Sequence, residues 1–354
     1  MSGAEGKPAR AAPERGATDI AGQGRAGAAR PPAEQEAIAA SSGGPPFLAR
    51  LRGSAALEVS GPDAAAFLHG QLANDVTGLR PGGTNRSLLL NHKGHALAEA
   101  QVLRLEERRL VLVVDDDRVE QVAESLERHV VFDEVELRRV PAAAVTLQGS
   151  AAADILAAAA GARGAAGAPG EGAFASVKLA GAAALVYAVR RSSAGGFDAL
   201  ALGPGDASAL EAALVSAGAV PVGPGGLDAA RVAAGVSSAG REGGEGVLPQ
   251  EAGLERFVSF RKGCYLGQEI MARVAARGAV RRGLATLELA GEPAGRDVEA
   301  GGRVVGRLGT VARLPDGSLR ALAVLRHDLT EGTAVSAGGA GAVVVVGPVR
   351  RMPS

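Results

Sequence analysis

The chain holds one soft nucleophile, Cys264. It lies in Phe257-Val258-Ser259-Phe260-Arg261-Lys262-Gly263-Cys264-Tyr265-Leu266-Gly267-Gln268-Glu269, which also contains one of the two tyrosines. Cations nearby stabilise a thiolate, and flanking glycines let backbone and ligand approach closely. Two readings stay open on that basis: a reactive thiolate, or the buried packing role that most lone cysteines fill. Between Glu255 and Gly283, seven basic residues (Arg256, Arg261, Lys262, Arg273, Arg277, Arg281, Arg282) face two acids, Glu255 and Glu269. That local excess of positive charge suits an anionic ligand, and it suits a solvated helix face equally well.

The same residue types exclude other chemistry. One thiol cannot form an internal disulfide, complete a cysteine-rich zinc site or hold an iron–sulfur cluster alone. His92 and His95 flank Gly94 without a carboxylate–histidine pattern, so no intrinsic metal site is expected. Lys plus Arg and Asp plus Glu number 38 each, a balance without the global positive field of a dedicated nucleic-acid binder. No direct nucleic-acid contact is therefore expected.

The elements that must position these groups can be read in turn. A length of 354 residues suggests two or three domains. Hydrophobic residues make up 47% and aromatics 3%, so the core must be built from Ala, Val and Leu. Residues 1–46 are rich in Ala, Gly, Pro and Arg, have no hydrophobic period, and read as a disordered extension. They contain no apolar run of signal-peptide length, and no stretch reaches the ~18 apolar residues of a membrane span. The expectation is a cytoplasmic monomer with no membrane contact.

A first α+β lobe, 47–143, begins with a strand at Ala55–Ser60 and a helix at Ala64–Ala73. Strands at Ser87–Leu90, Leu97–Leu105 and Leu110–Val114 follow as a meander, then a helix over Asp115–His129 and a strand at Val135–Val140. A second lobe, 144–280, repeats the plan with strands at Val145–Gln148, Ala175–Leu179 and Ala184–Val189 and helices at Ala151–Ala160 and Ala207–Ala217. From 281 to 354, short strands between Gly, Pro and Asp turns predict a small β-barrel. The fold class is α+β, two lobes followed by that barrel.

Lys262-Gly263-Cys264-Tyr265-Leu266-Gly267-Gln268-Glu269 resembles the K-G-C-Y-x-G-Q-E signature of the YgfZ family, folate-binding relatives of the glycine-cleavage aminomethyltransferases. Gly61-Pro62-Asp63, Phe67-Leu68 and Gln71-Leu72-Ala73-Asn74-Asp75-Val76 are similar to the opening of that superfamily. Asn91-His92-Lys93-Gly94 is similar to its strand-turn segment, and Leu248-Pro249-Gln250-Glu251-Ala252-Gly253-Leu254 to its approach to the signature.

The resemblance implies two lobes and a barrel around a central hole that holds tetrahydrofolate or a one-carbon-substituted form. It implies a pterin-binding carboxylate at Asp198, in Gly196-Phe197-Asp198, and folate contacts from Arg231, Lys262, Tyr265, Gln268 and Glu269. Cys264 would be the reactive thiol. Where the aminomethyltransferases carry a pair of aspartates, this chain has Ala98 and Glu99, and Leu227-Asp228-Ala229-Ala230-Arg231 lacks the first arginine of their Arg-Asp-x-x-Arg segment. Losing an acid–base group removes a factor of about 10²–10⁴. The implied role is thus accessory: support of iron–sulfur cluster assembly or repair, and through it tRNA modification, with assembly proteins or client enzymes as partners. A one-carbon transferase relying on Glu99 and a folate-blind interaction module are the alternatives.

Overall fold

The computed structural model describes residues 45–51, 55–114, 118–161, 168–204, 207–278 and 280–348. The expected tail, 1–46, falls outside them except for Pro45 and Pro46. Pro46 is ordered, its carbonyl accepting the Val220 amide at 2.9 Å.

The first lobe opens with β1 (Phe47–Arg50), β2 (Ala55–Ser60) and α1 (Ala64–Gln71). Helix α1 buries Ala64, Phe67 and Leu68, the i, i+3, i+4 stripe of an amphipathic helix. The expected meander follows as β3 (Thr84–Leu90), β4 (Ala96–Glu106) and β5 (Arg109–Val114), and then α2 (Val119–Glu127). Apolar residues from one face of these strands and from both helices form the lobe's core, with Leu57, Leu68, Leu72, Leu112 and Leu126 fully buried, while Leu103, Val111 and Val113 pack on the opposite face.

The joint between the lobes differs from the sequence reading. Residues expected to form two strands make one, β6 (Glu136–Gln148), and the expected boundary at 143/144 lies inside it. Its first half pairs β2 up to Pro141; its second half pairs β9 (Gly196–Leu202) and β1. Proline removes a ladder donor without ending an extended chain, so Pro141 marks the change of partners. One sheet therefore runs through both lobes in the order β3-β4-β5-β2-β6-β9-β8-β7, with β7 (Phe174–Leu179) and β8 (Ala182–Val189) at the far edge. β10 (Val220–Val222) joins through β1.

Helices α3 (Ala152–Ala159) and α4 (Ser208–Ser216) cover the second half of the sheet. Two helices escaped sequence reading, α5 (Pro224–Ala234) and α6 (Gln268–Arg277). The first opens on a Pro-Gly-Gly run that mimics a turn; the second is polar overall and buries only Met271.

The C-terminal barrel is closed: β11-β14-β13-β12-β15-β16. Its strands are β11 (Arg282–Leu289), β12 (Asp297–Ala300), β13 (Arg303–Arg313), β14 (Leu319–Arg326), β15 (Ala334–Ala337) and β16 (Ala340–Val346). β13 runs unbroken past Gly309, its register shifting between Leu308 and Val311. No described helix is long and apolar enough to cross a membrane.

Candidate functional site

The signature segment between α5 and α6 is fastened to the first lobe. Ser259 donates its amide to Ala73 O at 2.9 Å, and Leu266 donates to Gly70 O at 3.1 Å. Between these ties, the Lys262 ammonium donates to the carbonyls of Leu72 (2.6 Å), Asn74 (3.1 Å) and His69. These carbonyls lie in and just beyond the last turn of α1, where intrahelical donors run out and a cation is favoured. Burial pulls Lys262 down to about 8, while its three donors remain fully engaged.

Tyr265 packs beside this lysine, 4.8 Å from the ammonium to the ring centroid. It is buried with Leu88, Leu90 and Met271, and burial pushes its phenol up to about 12. Gly267, at φ +84°, caps α6 against the Asn91–Gly94 turn. A Cβ on Gly267 would stand 2.7 Å from Asn91 O, and one on Gly94 would stand 2.8 Å from Met271 Cε. Two quoted motifs thus meet backbone to backbone, where only glycine fits.

These ties hold Cys264 at the surface, where it is exposed. The buried-cysteine reading is set aside. Next to it, a Cβ on Gly263 would have His69 Nε2 as its nearest side-chain atom, at 4.0 Å. The other ring nitrogen of His69 faces Asp75 and Thr77, both at 3.1 Å. Burial, followed by the charge of Lys262, holds His69 below the usual histidine range.

The concave part of the site lies elsewhere. A cavity of about 420 Å³ is walled by Asn74, Thr84, Asn85, Arg86, Gln101, Ala188, Arg190, Arg256 and Phe257. Another, of about 200 Å³, shares Arg190 and Arg256 and reaches Gln250 and the barrel residues Leu284 and Thr286. First lobe, second lobe and barrel all contribute walls. Arg256 and Arg86 lie 4.4 and 5.5 Å from the Phe257 ring centroid. Burial and the neighbouring Arg86 pull Arg256 below its ordinary value, while Glu99, Glu255 and the wall residue Glu171 offset part of the positive charge. Two wall acceptors are buried without a hydrogen-bond partner, Asn85 Oδ1 and Gln250 Oε1. An unpaired buried acceptor costs about 1–3 kcal/mol, which a ligand N–H would recover.

The structure moves several expected contacts. Lys262, Tyr265, Gln268, Glu269 and Cys264 wall neither of these cavities. Lys262 and Tyr265 fasten the loop, Gln268 begins α6, and Glu269 is exposed and paired with Arg273 at 2.7 Å. Asp198 is fully buried and engaged by Arg191, with Nη2 to Oδ2 at 2.7 Å and Nε to Oδ1 at 3.1 Å. It therefore holds the chain beside Arg190 rather than offering a carboxylate to a ligand. Arg231 is buried and paired with Glu242 at 3.0 Å, away from both cavities. The expected basic patch disperses in the same way: Arg282 pairs with Glu251, and among its members only Arg256 reaches the central cavity.

The two positions that replace the transferase aspartates point to opposite faces of β4, as strand alternation requires. Ala98 packs in the core of the first lobe. Glu99 faces the other way, buried behind Arg86 with Oε1 at 2.9 Å from its guanidinium. Sequence reasoning missed Asn85, Arg86, Arg190 and Phe257. The β3–β4 register, which sets Arg86 close to Glu99, is a signal for one of them.

Residues 51–262 match the GCVT N-terminal domain. An aminomethyltransferase of Streptomyces coelicolor is 30% identical over 276 residues, covering 73% of this chain and 72% of its own. The tRNA-modifying protein YgfZ of Serratia proteamaculans is 46% identical over 91 residues, 23% of this chain and 28% of its own. The crystal structure of the glycine cleavage system aminomethyltransferase T from Bartonella henselae superposes with a TM-score of 0.73 at 22% identity, covers 88% of each chain, and shows the fold. With the domain match spanning more than half of its length and an aminomethyltransferase 30% identical over nearly three quarters of both chains, the chain belongs to the GcvT-like family, with YgfZ among its relatives over part of its length.

Proposed function

We propose that the protein binds tetrahydrofolate, or a one-carbon-substituted form, and acts as a cytoplasmic, monomeric accessory factor in iron–sulfur cluster assembly or repair, and through it in tRNA modification. The observation that carries the folate reading is the pair of cavities that share Arg190 and Arg256, with one unpartnered acceptor in each wall and an aromatic face in the larger. A 2-amino-4-oxo-pteridine offers N–H donors for Asn85 Oδ1 in the larger cavity or Gln250 Oε1 in the smaller. Its ring stacks on Phe257, and the carboxylates of the glutamyl tail suit Arg86, Arg190 and Arg256. Tetrahydrofolate, when bound, supplies ring nitrogens that carry a one-carbon unit.

The accessory role is supported by the placement of the thiol. Cys264 is presented to solvent on a fastened loop, outside the walls that would hold folate, a position suited to meeting a partner protein. The partial relatives named as tRNA-modifying proteins favour the same reading.

Calorimetric titration with reduced folates tests the ligand. The wild type should bind, while Gln250→Leu and Arg256→Ala should each weaken binding about tenfold or more, the scale of one lost hydrogen bond to a charged or buried group. Absence of binding by every reduced folate removes the reading. A Cys264→Ala strain should lose iron–sulfur enzyme activity while the purified variant keeps folate affinity. A one-carbon transferase is the second reading, favoured by the 30% identity to an aminomethyltransferase. It predicts that Glu99→Gln abolishes function and that Cys264→Ala is tolerated.

A further inference from the structure

A separate cavity, of about 400 Å³, opens where the glycine-rich loop 240–247 meets the barrel. It shares no wall residue with the central cavities. Five arginines reach it from distant parts of the chain: Arg118, Arg241, Arg282, Arg296 and Arg307. Its acids are Glu242 and Glu245.

The pairing of these charges decides what the cavity attracts. Arg282 is neutralised by Glu251 at 2.7 Å, and Arg241 faces Asp228 at 3.4 Å. Glu242 is turned away from the opening. One oxygen takes Arg231 and the Ser238 amide, and the other takes the amide and hydroxyl of Thr310. The barrel approaches this carboxylate so closely that a Cβ on Gly309 would stand 2.6 Å from Glu242 Oε1.

Arg118, Arg296 and Arg307 remain, against one exposed wall acid, Glu245. Arg118 is held by Leu97 O at 2.7 Å and Gly240 O at 3.1 Å, contacts that fix its guanidinium without neutralising it. Arg296 and Arg307 are exposed and make no ion pair or side-chain hydrogen bond among the described residues. They are neighbours, since Leu308 donates its amide to Arg296 O at 2.7 Å. Asp297 stands opposite Arg307 in the β12–β13 register yet forms no ion pair with it. Unpaired guanidinium groups converging on a concave wall repel one another and favour a multivalent oxyanion, which they meet with paired N–H donors. The volume lies within the roughly 300–1,000 Å³ of small-molecule sites. The loop amides are mostly spent on its own turns, so the arginine side chains carry the recognition.

We infer that this cavity binds a small multivalent oxyanion, either a phosphate group or a short run of carboxylates. Titration of the full chain with inorganic pyrophosphate and with tri-γ-glutamate tests the inference and separates the two sources. At least one probe should bind, and binding should weaken severalfold on passing from low to physiological ionic strength. Arg296→Ala/Arg307→Ala should weaken it about tenfold or more. Arg303→Ala, an exposed barrel arginine outside the cavity, should bind as the wild type. A melting temperature equal to wild type shows that the double variant is folded, which its lack of partners predicts. Absence of binding by both probes at low ionic strength overturns the inference, as does equal affinity in the double variant or an equal loss in Arg303→Ala. Folate binding, resting on other residues, would survive that failure.

Discussion

Replacing Lys262 by Met keeps the aliphatic stem and removes three donors at once. The carbonyls of His69, Leu72 and Asn74 would then point at a methyl group. Hydrogen bonds to a charged group contribute about 1.5–3 kcal/mol each in net terms, but these three share one half-buried ammonium whose desolvation cost disappears with it. The loss of the Tyr265 contact adds about 0.5–1 kcal/mol. A net destabilisation of about 2–4 kcal/mol follows, corresponding to a melting temperature lower by about 4–10 °C. The loop should suffer first, so the amides of Ser259 and Leu266, which donate across to Ala73 and Gly70, should exchange faster than those of the barrel. Thermal melts together with hydrogen exchange read both effects. Lys262→Arg should recover less than half of the loss, because a flat guanidinium cannot serve three converging carbonyls as a compact ammonium does. A Met variant that melts within a degree of wild type, with unchanged exchange at Leu266, would refute the anchoring role.

Cys264→Ser should leave the melting temperature within about a degree, because an exposed side chain leaves no cavity and buries no unpaired hydroxyl; iodoacetamide should label the wild-type thiol in the native state. Glu242→Gln should cost about 1–3 kcal/mol by leaving buried Arg231 with only its 3.5 Å ion pair to Asp228, and Thr310, the partner of Glu242 on the barrel, should show the change in exchange measurements. His69 is held below its usual range, so the folded state resists protonating it. Its stabilising contribution is present above the ordinary histidine pKa and is lost as pH falls through the lower folded value. Melts between about pH 7 and 5 should show this loss, and His69→Gln should flatten it. Asp75, also held low, contributes only in a more acidic window.

Most of the fold was legible because local patterns and turn residues agreed. The meander β3–β5 alternates or runs apolar between glycine or charged turns, and its bounds fell within a few residues of expectation, as the short strands after residue 281 gave the barrel. The failures share one cause. Pro141 reads as a breaker, but tertiary pairing on both sides keeps β6 continuous. Pro224-Gly225-Gly226 reads as a turn, but packing of Ala229 and Val232 on the barrel makes it the start of α5. For the site, the signature located the loop without revealing what it does. Lys262 is a cation in a basic run by sequence, and only the fold shows that α1 ends against it. Asp198 and Arg191 are seven residues apart across the β8–β9 turn, and their pairing depends on a register that composition does not encode.

The contrast between Glu99 and Cys264 is what separates an accessory role from a transferase role. A general base must reach the proton it takes, directly or through one water. Glu99 is buried behind Arg86, so its nearest oxygen is directed at a guanidinium and not at the cavity. For Oε1 to take a proton, Arg86 would have to swing away, leaving a buried carboxylate less compensated at a cost of about 3–5 kcal/mol. Arg86 also lines the cavity and reaches Phe257, so a ligand carboxylate would hold it in place. Folate binding and release of Glu99 therefore compete for the same arginine. Cys264 meets no such conflict, because its loop is fastened by contacts that leave the thiol in solvent whether or not the cavity is filled. On the proposed folate reading, one group of residues would hold the ligand and another presents the thiol, a division that suits a protein serving other enzymes better than one turning over folate itself.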